Sequence, residues 1–184
     1  MRERNQINWF RSVIWKEDGM MEPELGKKEK IKLSALVVNS KLDKYIKLHD
    51  LIFKKQATLF SFVKNLLGIP PPFKQFLDES LNLKSEWEST IQGIIRIKDE
   101  ITRNLPSEER EYLTYLLDYA IALHKTASIL CKRQEAYYKK SLSNKNSNFK
   151  WSNAREMEAE YKQSINEYLK IGEKLNRLDH IIFG

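Results

Sequence analysis

Three histidines, a single cysteine and 25 acidic residues are the groups in this 184-residue chain from which metal or acid–base chemistry would have to be built. Long helices hold paired metals by placing a glutamate three residues before a histidine, so that carboxylate and imidazole share one face. Here the residues three before His49, His124 and His180 are Ile46, Ile121 and Arg177, so that signature is missing. His49 falls on an apolar seam and reads as a core imidazole. The acids sit among bases at helix-surface spacing, as Glu156, Glu158 and Glu160 do between Arg155 and Lys162, which is the pattern of a solvated, charge-laced face. Phosphate-cradling glycine loops and a Gly-x-Ser-x-Gly elbow are both missing. Cys131 stands one residue past the seam position Leu130; it reads as a small buried side chain. A lone cysteine excludes an internal disulfide and fits a reducing compartment. The expectation is a protein that is no enzyme and needs no metal, cofactor or small-molecule substrate.

The basic residues are better ordered. Lys125, Lys132 and Lys139 are seven apart, as are Arg133 and Lys140, and the series leads into a polar stretch with Lys145 and Lys150. Spacing of seven puts charges on one helix face, where an anionic surface meets several at once. The net charge is +7. Residues 31–67 carry seven lysines against two aspartates, and residues 107–150 carry eight bases against five acids. Phosphates of nucleic acid would attract the same charge, but no recognition helix or stacking-aromatic pattern accompanies it. An anionic membrane surface is therefore the expected partner. Residues 1–16 add to this. Ile7, Phe10, Val13 and Ile14 fall on one side, with Trp9, Trp15 and Arg11 beside them. Such a segment suits the interface, where rings lie at headgroup depth and arginine meets phosphate. Packing as a lid on the end of the body is the alternative. The expected membrane-binding set is Trp9, Phe10, Arg11, Ile14, Lys132, Arg133, Lys139, Lys140, Lys145 and Lys150. No apolar run approaches the roughly 20 residues that cross a bilayer, and the start lacks a secretory signal.

Long helices must carry these groups. Residues 107–142 read as one helix, with small or apolar residues at Leu116, Ala120, Leu123, Ala127, Leu130, Gln134, Tyr137 and Ser141. These alternating steps of four and three keep one seam toward a partner. Ser107, behind Pro106 and ahead of Glu108 and Glu109, is expected to cap it. A second helix spans about 30–67 with Val38, Leu42, Tyr45, His49 and Ile52 on its seam, and is ended by Pro70, Pro71 and Pro72. A third covers 73–104 (Phe73, Phe76, Ser80, Leu83, Trp87, Thr90, Ile94, Ile97, Ile101). A fourth covers 153–182 (Ala154, Met157, Tyr161, Ser164, Tyr168, Ile171, Leu175). Leu105-Pro106-Ser107 leaves open whether 73–142 is one kinked rod or two helices folded back. The organisation predicted is residues 1–29 as an amphipathic segment with a linker and residues 30–184 as a helical bundle. The class is all-α, an elongated antiparallel coiled-coil bundle.

Residues 113–142, LTYLLDYAIALHKTASILCKRQEAYYKKSL, resemble the second helix of the BAR domains of sorting nexins. There a Tyr-centred apolar stretch leads into an Arg-containing segment followed by aromatics, matched here by Tyr119, Arg133, Tyr137 and Tyr138. Residues 154–183 resemble the start of helix 3, residues 73–101 the upstream part of helix 2, and residues 30–67 helix 1. The likeness covers the BAR region and not the PX domain. It implies a BAR-like body, a homo- or heterodimer through helix seams, and a cytoplasmic protein peripheral on endosomal or other intracellular membrane. It also implies a role in trafficking. The alternative is a soluble helical adaptor whose seams bind partner proteins.

Overall fold

The computed structural model describes residues 26–57, 72–142 and 151–184. Among these, four helices take up nearly every residue and no strand occurs: α1 Lys27–Ala57, α2 Phe73–Ile101, α3 Ser107–Leu142 and α4 Trp151–Phe183. The all-α class is thus observed. Helix α1 begins three residues before the expected position. The amide of Gly26 donates to the Glu29 carboxylate at 3.1 Å, half of a capping box that satisfies an end donor. Asn39 and Ser40 do not interrupt it.

Each helix runs opposite to its neighbours, as the cross-contacts show. Lys30 reaches Glu100 at 2.6 Å, while Lys41 and Lys44 reach Glu86, so α1 and α2 are antiparallel. Phe73 stacks beside Tyr137, and His124 meets Glu88, so α2 and α3 are antiparallel as well. Tyr112 donates to Asp179 and Arg133 faces Glu158, which reverses α4 against α3. The ring closes where Lys28 lies over Phe183 and Tyr45 bonds Tyr161.

The question left at Leu105 is answered by this pairing: the chain folds back. A 3-10 turn, Thr102–Asn104, follows α2, and Leu105 leaves it extended, at φ −99° and ψ 147°. Proline disfavours helical geometry in the residue before it, so Pro106 holds Leu105 in that conformation. Buried Ile101 and Leu105 anchor the turn to the core. Ser107 is a correction: it is the first helical residue and not the cap. The Pro106 carbonyl accepts the Arg110 amide at 3.1 Å, and the Ser107 hydroxyl donates to Glu108 at 3.1 Å.

The seams predicted for α2 and α3 are the ones that pack. Phe76, Ser80, Leu83, Trp87, Thr90, Ile94 and Ile101 are buried on α2. On α3, Leu116, Ala120, Leu123, Ala127, Leu130 and Gln134 are buried, and Ser141 is exposed past the end of the core. Helix α3 also buries a second stripe, Tyr112, Tyr119, Ala122, Thr126, Ile129 and Arg133, one step around the helix. The first stripe faces α2 and the second faces α4. On α1 the deepest positions are Ile31, Val38, Tyr45 and Ile52, with Leu48 more buried than the expected seam residue His49.

Leu123 is fully buried, so Leu123→Ala is expected to destabilise the protein by about 2–5 kcal/mol, read as a lower urea midpoint at unchanged slope. Gln134 is equally buried, and its amide nitrogen and oxygen have no hydrogen-bond partner among the described residues. Because an unpaired buried polar group costs about 1–3 kcal/mol, Gln134→Leu is expected to raise the midpoint.

Candidate functional site

The C-terminus of α1, the N-terminus of α2, the C-terminus of α3 and the N-terminus of α4 lie at one end of the bundle. Phe73–Tyr137, Phe53–Tyr161 and Arg133–Glu158 all meet there. This pairing collects the positive charge. Among the described residues, 47–57, 72–84, 128–142 and 151–164 hold 11 bases against seven acids. Residues 26–46, 85–127 and 165–184, at the other end, hold 14 bases against 13 acids. The charge polarity therefore runs along the axis. Sequence reading placed the excess on two helices but not at one end, because only the antiparallel register brings 47–57, 72–84, 128–142 and 151–164 together.

The predicted residues distribute as follows. Lys132 and Lys139 are exposed, and Lys139 pairs with Glu135 one turn away at 2.6 Å. Lys140 is half-buried. Lys125, first of the heptad series, bonds Glu167 of α4 at 2.6 Å. Arg133 departs from the exposed stripe: it is 6% exposed, its guanidinium 4.5 Å from the Phe53 ring and 5.1 Å from that of Tyr137. Its Nε lies 3.6 Å from Glu158. A planar, weakly hydrated cation is suited to such burial between rings. One position along from Lys132, the helix turns inward, and a seven-residue spacing alone cannot distinguish the two directions. Trp9, Phe10, Arg11, Ile14, Lys145 and Lys150 lie outside the described residues.

Beneath the basic end is an aromatic cluster. His49 stacks on Phe53, centroids 4.4 Å apart, and Phe53 stacks on Tyr161 at 5.8 Å. Tyr45 and Tyr161 share a buried hydroxyl–hydroxyl bond of 2.6 Å, and Tyr45 meets Tyr168 edge-on. His49 is thus a packed ring, with Asp50 at 3.6 Å. Burial pushes the Cys131 thiol upward, away from the thiolate that nucleophilic or metal chemistry needs. Among the described residues no three metal-ligating side chains converge. A shallow surface depression on α3, lined by Ser107, Arg110, Glu111 and Asp118, brings together no reactive pair. No helix among the described residues is long and apolar enough to cross a membrane.

The buried tyrosines give the bundle a pH signature. Burial raises Tyr45, Tyr112, Tyr161 and Tyr168, and pushes Tyr119 up to about 12. A phenol whose folded value is raised contributes stability that is fully present below its unfolded value near 10 and is lost as pH climbs through the folded value. The melting temperature is expected to hold up to about pH 9.5 and to fall steeply from about pH 10 to 12. Tyr45→Phe is expected to lower stability at neutral pH by about 1–3 kcal/mol, since it strands the Tyr161 hydroxyl, and to shallow the alkaline slope.

No protein family, curated protein or solved structure compared with this chain matches it.

Proposed function

We propose that this chain is a non-catalytic peripheral membrane protein whose basic end meets an anionic lipid surface. The observation that carries this reading is the charge polarity: among the described residues, an excess of four bases at the end where Phe73 meets Tyr137, against one at the other. Each lysine or arginine near an anionic leaflet contributes about 1 kcal/mol within a Debye length, so concentrated charge is worth more there than spread charge. The likeness to the BAR region of sorting nexins supports intracellular, endosomal membrane as the target and trafficking as the process. It also supports an elongated coiled-coil body that pairs as a homo- or heterodimer.

On one point the proposal departs from that likeness. A BAR-type reading takes 73–142 as a single second helix, whereas here Phe73 returns beside Tyr137. The body offered to the membrane is a four-helix bundle with a charged end. Any pairing of two copies would use its outer faces.

A second reading, a soluble adaptor that binds partner proteins, draws on Leu36 and Ile121, which are 52% and 46% exposed. Co-sedimentation with anionic liposomes across a salt series separates the two. Lipid binding is expected to weaken with salt, and reversing Lys132, Lys139 and Lys140 to Glu is expected to cost several kcal/mol at low salt. Helical content and melting should hardly move, because exposed charges contribute little to stability. The same reversal at Lys162, Lys170 and Lys174 should matter much less. Equal loss from both triple variants would mean that only net charge is read; no loss from either would favour the adaptor.

A further inference from the structure

The charge of the bundle is not shared evenly among its helices. Helix α1 holds nine lysines against three acids, while α2 holds four bases against six acids, α3 six against five and α4 five against six. The α1 charges also have a direction. Its buried stripe is Ile31, Val38, Tyr45 and Ile52. Each acid, Glu29, Asp43 and Asp50, stands two residues before a stripe position, which turns it roughly 160° away. Lys27, Lys28, Lys30, Lys32, Lys41 and Lys44 stand on or beside the stripe, and Lys47 shares the outer side with the acids. The Lys30 and Lys41 side chains are folded under, 23% and 21% exposed, and reach Glu100 and Glu86 of α2. Lys44 joins Lys41 at Glu86. The face of α1 that is both apolar and cationic is therefore the one turned into the bundle.

We infer that the inward face of α1 is a second lipid-binding surface, latent in the bundle and opened when α1 leaves α2 for an anionic bilayer. Resting on the membrane reading above, this surface adds one flank of the bundle to its basic end. A helix with an apolar stripe flanked by lysines lies in the interface plane: the stripe enters the acyl boundary, the lysine stems follow it, and their ammonium groups meet phosphate. At 31 residues, α1 covers about 46 Å of bilayer. Lipid phosphates then take the places of Glu86 and Glu100, one anion for another. Polar groups in the core do not hold α1 back. The Ser34 hydroxyl donates to the Lys30 carbonyl, and on α2 Ser80 and Thr90 donate to the carbonyls of Phe76 and Glu86, each within its own helix. Tyr45 shares a hydroxyl bond with Tyr161 of α4, and at headgroup depth a phenol finds water and phosphate in its place. Backbone packing on that side is loose. Helices α1 and α4 stay more than 8 Å apart along nearly all their described length, unlike the other neighbouring pairs.

The test is a distance between α1 and α2, measured by pulsed EPR in the full chain carrying Cys131→Ser. Asn39→Cys and Ser89→Cys, both exposed, carry the spin labels. In solution and with phosphatidylcholine vesicles one short distance is expected; adding phosphatidylserine to the vesicles should replace it with a longer, broader distribution. A second pair, Gln92→Cys on α2 with Asp118→Cys on α3, should keep its distance. Lengthening of both pairs would mean general unfolding at the surface, and a long first distance already in solution would mean that α1 is not docked; either overturns the inference. Binding with the first distance unchanged also overturns it and leaves the membrane reading standing. No binding at all sinks both. Charge provides an independent check. Glu86→Gln with Glu100→Gln should tighten binding to phosphatidylserine vesicles severalfold more than Glu111→Gln with Glu173→Gln, which alters net charge equally. Equal tightening would show that net charge alone is read and that α2 does not withhold α1.

Discussion

Helix α3 has to bury two stripes at once, and the rest of the bundle follows from that need. Leu116, Leu123 and Leu130 on one stripe and Tyr112, Tyr119 and Ile129 on the other leave it little solvated surface through its middle. Burying one large apolar side chain contributes about 1.5–3 kcal/mol, so neither stripe can be left open. One neighbour cannot cover both. Helix α2 therefore folds back through Leu105 and Pro106 to cover the first, and α4 returns to cover the second. Small residues set the approach distances: a Cβ on Gly172 would sit 3.0 Å from the Tyr119 ring, so α4 comes this close only because glycine stands there. Helix α1 then packs its apolar stripe, Ile31, Val38, Tyr45 and Ile52, against α2 and α3, and meets α4 mainly through rings such as Tyr45 and Tyr161.

Much of this was legible in the sequence, for a physical reason. Seam positions such as Trp87, Leu123 and Tyr161 announce themselves because a bundle core repeats every seven residues. The extent of α3 was equally plain, bounded by Pro106 and by a polar stretch. What one seam per helix could not convey was that α3 has two, because the second is offset by one residue and holds a threonine, an alanine and an arginine. The chain reversal at Leu105 was illegible too: a short break joins collinear or antiparallel helices alike, and only the partners of Phe73 and Glu88 decide. For the site, sequence gave the identity of the basic residues and not their gathering. Arg133 illustrates the limit. Its chain neighbour Lys132 is solvated, yet Phe53, eighty residues away, supplies the ring that takes Arg133 inside.

The burial of Arg133 fits its place. Taking a guanidinium out of water is costly unless its charge and donors are compensated. Glu158 supplies the opposite charge at 3.6 Å, and two ring faces supply a surface that a delocalised cation tolerates better than an ammonium would. A lysine there would have no plane to stack and would keep a stronger claim on water. The arginine thus ties α1, α3 and α4 together just below the end where the exposed lysines begin.

The two ends of the bundle are held by different forces, and that difference explains why one remains charged. Lys30–Glu100, Lys41–Glu86, Lys44–Glu86 and Lys125–Glu167 all cross between helices, and all lie in the nearly neutral half. Burial would raise the Glu86 carboxyl, but Lys41 and Lys44 together hold it below its ordinary value, while burial lowers Lys41 itself. Each such pair fixes register by cancelling a base with an acid. In the other half Arg133–Glu158 is joined by rings that cross between helices: Phe73 on Tyr137, and His49 and Phe53 on Tyr161. Stacked rings fix register without cancelling charge. Aromatic packing therefore orders this end while spending few of its bases on contacts between helices.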